Sequence, residues 1–146
     1  MTPEENKEIV RRYVEEFQNK GDEAVLDELV AENYIDHDPL PGHLPGRAGM
    51  KRDVMKAAFP NSRIEIEDLL AEGDKVVCRV RWSGTQAAEF LGIPNTGRSV
   101  SIGAIHVFRL EDGVIMEGWG RAENLNMMAQ LGVLDGMGAA PTQASA

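Results

Sequence analysis

The sequence predicts a single α+β domain with an antiparallel-rich sheet, and three observations carry the prediction. Apolar residues recur at helical spacing through roughly the first 30 residues, and the period changes to two from Arg63 onward. Helices come first and strands follow, which disfavours alternating βαβ units. A chain of 146 residues makes one ordinary domain. A domain of that size buries roughly 70% of its unfolded surface, enough for both a core and an internal cavity.

The elements follow in order. Thr2 and Glu5 form a capping box with Pro3 in the first helical position. Ile9, Val10, Tyr13, Val14 and Phe17 then share one stripe, with Glu8, Arg11, Arg12 and Glu15 off it. Gly21 ends this helix, and Asp22 opens a shorter one carrying Val25, Leu26, Leu29 and Val30. Residues 34–37 read as a brief extended piece. Residues 38–46 hold three prolines and two glycines and must form a loop, long enough to suggest a function. A third helix is expected over 49–58, before Phe59-Pro60. Residues 63–67 and 76–82 alternate as strands around a turn at Glu72-Gly73-Asp74. A Gly-, Pro- and Thr-containing loop follows over 84–98. Residues 100–110 read as a long strand, and the chain returns over 114–121 after Glu111-Asp112-Gly113. Residues 125–131 read as a short helix. The domain is expected to span 1–134, with 135–146 a mobile Gly/Ala-rich tail.

Composition excludes several functions. Asp plus Glu number 24 against 15 Lys plus Arg, so the net charge is -9. Nucleic acids and anionic membranes both need a basic footprint, so neither is an expected partner. Cys78 is the single cysteine, which leaves no internal disulfide, and three histidines cannot complete a Cys-rich zinc site. His37 and His43 flank the Pro-rich loop beside Asp36 and Asp38 without a metal-ligand spacing. No GxSxG, P-loop, GxGxxG or HExxH motif occurs, so no nucleotide cofactor and no metal is expected. No apolar run approaches the ~18 residues of a membrane span, and the acidic start does not read as a signal peptide. A cytoplasmic location is expected.

The second hairpin places the candidate site. A three-residue loop ending in Gly113 would pair Leu110 with Val114, Phe108 with Met116, His106 with Gly118 and Ala104 with Gly120. One face would then carry Ala104, His106, Phe108, Met116, Gly118 and Gly120. Val107, Arg109, Ile115, Glu117, Trp119 and Arg121 would occupy the other. A two-residue turn would instead set His106 opposite Trp119. Paired glycines mark a bend or a close approach, so open space is expected near His106, with room for a carboxylate at position 120. His106 reads either as a pocket group or as a hydrogen-bonded core histidine. Arg79 and Arg81 lie opposite Cys78, Val80 and Trp82 and read as a solvated face. Trp119 on the outer face suggests an interface, so a homodimer burying it is expected.

Several segments together resemble one family. They are Ile9-Val10-Arg11-Arg12-Tyr13, Tyr34-Ile35-Asp36-His37-Asp38-Pro39 and Phe90-Leu91-Gly92-Ile93-Pro94-Asn95-Thr96-Gly97-Arg98, then the strand through His106 to Arg109, Glu117-Gly118-Trp119 and Gln130-Leu131-Gly132. The chain resembles the SnoaL-like polyketide cyclases, also called ester cyclases, of the nuclear transport factor 2-like superfamily. The resemblance covers about residues 5–134. It implies a cone-shaped fold in which a strongly curved sheet wraps a pocket covered by N-terminal helices. It also implies dimers through the outer sheet face and ring closure by aldol condensation without metal or cofactor. In such proteins an aspartate following Glu-x-Trp is the acid/base and a histidine on the adjacent strand assists. The histidine matches His106; the aspartate matches Gly120, which has no side chain.

The expected function is therefore a small cofactor-independent cyclase or isomerase acting on an apolar, carbonyl-bearing substrate. His106 and Glu123 are the candidate acid/base groups, Glu123 as a partial substitute for the aspartate. Tyr13, Phe17, His37, Trp82, Phe90, Phe108, Met116, Gly118 and Gly120 are the candidate substrate-binding residues. Two alternatives remain open. One is a non-catalytic module binding a small apolar molecule on the same scaffold. The other is an epoxide-hydrolase-like enzyme, which needs an Asp/Arg/Asp cluster that the inner-face pattern does not supply.

Overall fold

A computed structural model of the protein describes residues 1–135, so the expected tail lies almost wholly outside the described residues. Helix α1 (Pro3–Arg12) begins on its capping box. The Glu5 amide donates to Thr2 Oγ1 at 3.1 Å, and the Thr2 amide donates to the Glu5 carboxylate at 3.2 Å. The helix then widens into a π-helical turn, Tyr13–Gln18, a geometry frequent at functional sites. This turn carries Tyr13 and Phe17, whose rings stack at 5.9 Å. Helix α2 (Glu23–Leu29) is capped by Asp22, which accepts from the Ala24 and Val25 amides.

The chain passes directly from α2 into strand β1 (Val30–Asp36), which starts earlier than the expected extended piece. The helix expected over 49–58 is two short helices, α3 (Gly46–Met50) and α4 (Val54–Ala58). The break has a local cause: Asp53 turns out of the helix and accepts from the Met55 amide at 2.9 Å, capping a new start. Strands β2 (Arg63–Glu72), β3 (Lys75–Thr85), β4 (Ser99–Glu111) and β5 (Val114–Ala122) and helix α5 (Asn124–Gln130) complete the chain.

The sheet order is β1-β5-β4-β3-β2. β2, β3, β4 and β5 pair antiparallel in sequence, whereas β1 runs parallel to β5. Register shifts in β1/β5, β2/β3 and β4/β5 bend the strands, because each bulge raises the local twist. The result is a curved open sheet with the helices over its inner face. Alternation along β3 turns Cys78, Val80 and Trp82 inward and Arg79 and Arg81 outward. The outward arginines pair with Glu67 and Asp68, as a solvated face should.

Two apolar clusters hold the layers together. Val10 and Val14 of the first helix and Leu26 of α2 pack with Val76, Val80, Phe108 and Leu110. Phe59, Trp82, Phe90, Val100, Met127 and Leu131 form the second. Each such fully buried side chain contributes about 1.5–3 kcal/mol relative to exposure. Asn19 ties the first helix to the edge strand, donating to Ile64 O at 2.8 Å and accepting from Ile64 N at 2.7 Å. The loop after β3 is organised by Gln86, only 1% exposed. Its amide donates to the carbonyls of Ala88, Ile93 and Pro94 and accepts from the Thr96 amide and hydroxyl. This satisfied amide holds the turn that seats Phe90 in the core. No helix among the described residues is long and apolar enough to cross a membrane.

The second hairpin differs from the expected one. Asp112 and Gly113 both have positive φ, 48° and 80°, and form a two-residue turn joining Glu111 to Val114. Alone, that turn would move His106 opposite Trp119. A bulge at Met116 inserts one extra residue and restores the face. The observed pairs are Phe108 with Gly118, His106 with Gly120 and Ala104 with Ala122. Ile115, expected on the outer face, pairs with Leu110 and is fully buried in the core.

Candidate active site

A cavity of about 1210 Å³ lies between the helices and the inner sheet face. Its aromatic wall comes from four places: Tyr13 and Phe17 on the π-helical turn, Trp82 on β3, Phe90 on the Gln86 loop and Phe108 on β4. Strand alternation explains the sheet residues, because Ala104, His106 and Phe108 are two apart and share the inner face. Gly118 and Gly120 form part of the floor opposite them.

The space above each glycine is taken. A Cβ on Gly120 would lie 2.8 Å from His106 Nδ1 and 3.0 Å from Cε1, so the imidazole rests directly on the glycine backbone. The ring lies nearly parallel to Phe108, at 17° and a centroid distance of 5.9 Å. The expected room for a carboxylate at position 120 is therefore absent; His106 itself fills it. Over Gly118 the occupant is the Tyr34 hydroxyl, which sits where a Cβ would have to stand.

The carboxylates arrive from β1. Its parallel pairing places Asp36 opposite Gly118, and the His37 amide donates to Gly118 O at 2.9 Å. One residue later the Gly120 amide donates to Asp38 Oδ2 at 2.9 Å. A carboxylate thus stands at Gly120 although residue 120 has no side chain. Asp38 also pairs with Arg121 at 2.8 Å, at the mouth, where the Arg121 side chain is 78% exposed. Asp36, Asp38 and Tyr34 were not among the expected site residues. Their only local signal was the Tyr-x-Asp-x-Asp spacing at the end of an extended segment.

The electrostatics follow from burial and these contacts. Desolvation pushes the His106 pKa below its ordinary 6.5, while Asp36 and then Asp38 pull it upward. Burial thus favours the neutral imidazole. The Gly120 amide, with help from Arg121, holds the Asp38 carboxyl below the usual range. Burial pushes the Tyr13 and Tyr34 phenols well above theirs, so both remain protonated. Cys78 faces the same cavity, and burial raises its thiol to about 11, which leaves it un-ionised. Among the described residues the sole sealed side-chain polar atom without a partner is Asn6 Oδ1. The His106 nitrogens and Tyr34 Oη make no hydrogen bond to another described residue, so they open onto the cavity they line.

Three expected site residues lie elsewhere. His37 points to the outer face, stacked on Trp119 at 4.6 Å with its Nε2 2.7 Å from Glu117 Oε1. Alternation after Asp36 turns it outward, and Glu117, already paired with Arg109, holds it there. Met116 is the bulge residue and does not line the cavity. Glu123 accepts from the Gly103 amide at 2.6 Å, beside Arg81 on the solvated face, and is exposed. It braces the end of β5 and does not line the cavity that His106 faces. Trp119 is half-buried under His37. Among the described residues no group of three or more His, Cys, Asp or Glu is arranged to hold a metal ion.

Comparison with known proteins agrees with this architecture. The chain matches the SnoaL-like polyketide cyclase family over residues 7–131. Among solved structures it is similar to a Bacillus cereus protein named as a polyketide cyclase, with 31% identity, TM-score 0.75, and coverage of 88% of this chain and 81% of that one. It is similar to TsrD from Streptomyces laurentii, with 30% identity, TM-score 0.79, and coverage of 92% and 99%. It is also similar to IdmH from Streptomyces antibioticus, named as a polyketide cyclase, with 33% identity, TM-score 0.73, and coverage of 87% and 98%. No curated protein matches the chain significantly. With most of its length matched, a curved sheet closed over an aromatic cavity and an inward histidine, the chain belongs to the SnoaL-like polyketide cyclase family.

Proposed function

We propose that the protein is a cofactor-independent cyclase or isomerase that moves a proton next to a carbonyl group on an apolar, polyketide-like substrate. The observation that carries this reading is an imidazole without a partner among the described residues, opening onto a large aromatic cavity, with Asp38 delivered to its glycine seat. His106 takes the α-proton. The imidazolium that forms is stabilised by Asp36 and Asp38, whose charges favour its protonated state. The aromatic wall holds the substrate folded, which removes much of the entropic barrier to ring closure. A positioned base contributes about 10²–10⁴-fold. The family relationship and the neighbours named as polyketide cyclases support the same chemistry. The partners in this reading are a small apolar molecule and a second copy of the chain.

The test is exchange of the α-protons of a naphthyl methyl ketone into deuterated water, followed by NMR. His106→Ala should lower the rate about 10²–10⁴-fold while the ketone still binds. A wild-type protein that binds the ketone without exchanging it would replace this reading with the non-catalytic module. One observation favours a hydrolase instead, since Asp38 pairs with Arg121 at the mouth of a cavity that Asp36 also lines. The exposure of Arg121 weighs against it, because a water held there is not desolvated. Opening of an aryl epoxide that survives His106→Ala would restore the hydrolase reading.

A further inference from the structure

We infer that the Tyr34 hydroxyl is the hydrogen-bond donor that receives the substrate carbonyl and the enolate oxygen formed from it. The inference rests on the acid–base reading above and adds the group that reading lacks. Proton abstraction next to a carbonyl leaves a negative charge on oxygen, and His106 can take the proton but cannot also hold that charge.

Four observations place Tyr34 in this role. Its side chain is buried, with the residue only 7% exposed. Its hydroxyl has no partner among the described residues and lines the cavity. That hydroxyl lies on Gly118, while His106 Nδ1 lies on Gly120. The two glycines are alternate residues on one strand face, about 6–7 Å apart by the strand rise. A hydrogen bond of about 2.7 Å to oxygen, the short O=C–Cα span and a proton-transfer contact near 3 Å together bridge a gap of that size. Two neighbouring side-chain-free positions therefore carry a donor and a base at the spacing of a carbonyl oxygen and its α-carbon. Side chains at 118 and 120 would destroy both seats.

The step balances without any added reactant. The Cα–H bond breaks and its proton goes to His106. The bond pair becomes the C=C bond of the enolate, and the carbonyl π pair moves to the oxygen held by Tyr34. In ring closure the enolate carbon attacks a second carbonyl, and the resulting alkoxide takes the proton back from His106. Tyr34 donates throughout and never ionises, consistent with burial raising its pKa. Tyr13 is a weaker candidate for this donor, because its hydroxyl already lies against Met50 Sδ at 3.9 Å.

The experiment compares wild type, Tyr34→Phe and Gly118→Ala. The first readout is ketone exchange; removal of one oxyanion donor costs about 10²–10³-fold in rate. Tyr34→Phe should show that loss with little change in ketone affinity, and Gly118→Ala should reproduce it by pushing the hydroxyl away. The second readout needs no turnover. 4-Nitrophenol, whose phenolate imitates an enolate, is titrated by absorbance in the presence of each protein. Bound to wild type, its apparent pKa should be lower than when bound to Tyr34→Phe. If His106→Ala abolishes exchange while Tyr34→Phe exchanges at the wild-type rate, the Tyr34 assignment is overturned and the base assignment stands. If wild type exchanges nothing but the nitrophenol shift still depends on Tyr34, the donor assignment stands and the proposed turnover falls. No Tyr34-dependent difference in either readout overturns the inference.

Discussion

Replacing Gly120 with alanine tests the geometry on which the site depends. The added Cβ would stand 2.8 Å from His106 Nδ1 and 3.0 Å from Cε1, where ordinary contact begins at 3.4 Å. The imidazole must withdraw by about half an ångström or rotate to another rotamer. Overpacking of this kind costs about 1–3 kcal/mol. The stiffer unfolded chain returns about 0.4–1 kcal/mol of that, so the variant should fold with a net loss of no more than about 2.5 kcal/mol. Catalysis is less tolerant, since a misplacement near 1 Å can cost 10²-fold, or about 2.7 kcal/mol of transition-state stabilisation. We expect Gly120→Ala to lose at least about tenfold in ketone exchange while its urea midpoint moves modestly. Gly120→Asp meets the same obstacle and should lose activity too, although it adds a carboxylate. Either variant exchanging at the wild-type rate with an unchanged imidazole titration by NMR would refute the claim that His106 is seated on Gly120.

Further expectations follow from the same contacts. The acid limb of kcat/KM for exchange should lie below pH 6.5, because desolvation lowers the His106 pKa; a limb at or above 6.5 would contradict a desolvated base. Because the unfolded state binds that proton more readily, His106 stability is complete above about 6.5 and is lost as pH falls through the lowered folded value. His106→Gln should therefore flatten the stability curve on that side. Gln86→Leu removes the partner of the Ala88, Ile93 and Pro94 carbonyls and of the Thr96 amide; Ala88, Pro94 and Thr96 are exposed enough for water to reach, so the loss should be about 1–3 kcal/mol in all. Chemical denaturation should show that loss, with weakened ketone binding as Phe90 loses its seat. Sedimentation at micromolar concentration should show a dimer through the outer face, where Ile105 is 47% exposed beside the half-buried Trp119; a single 16 kDa species would exclude it.

Much of the fold was legible locally. The capping box at Thr2, the cap at Asp22 and the change of period at Arg63 each depend on neighbours within a few residues, so the chain declares them by spacing alone. Helical spacing set Tyr13 and Phe17 on one stripe, and strand alternation set Trp82, His106 and Phe108 on inward faces, because the side-chain period of a helix or strand holds wherever the element finally packs; all five line the cavity. Resemblance to the cyclase family supplied the curved sheet and the pocket between its layers. The split of the 49–58 helix was also written locally, in an Asp53 that caps instead of continuing.

The chemistry of the site was decided at longer range. His37 was expected in the pocket and Asp38 was not, yet the parallel pairing of β1 with β5 turns Asp36 and Tyr34 inward and His37 outward. That pairing joins residues about 80 positions apart, and no local period specifies the partner or the register. The bulge at Met116 is of the same kind. One unpaired residue moves every later side chain of β5 across the sheet, and its position answers to the burial of Ile115 and the Arg109–Glu117 pair. Glycines 118 and 120 could be read as space from the sequence, but only the assembled sheet shows the hydroxyl and the imidazole that need that space. Local spacing determines which way a side chain points along its own element; which groups it meets depends on strand pairing, whose free energy is gained only once distant segments are packed together.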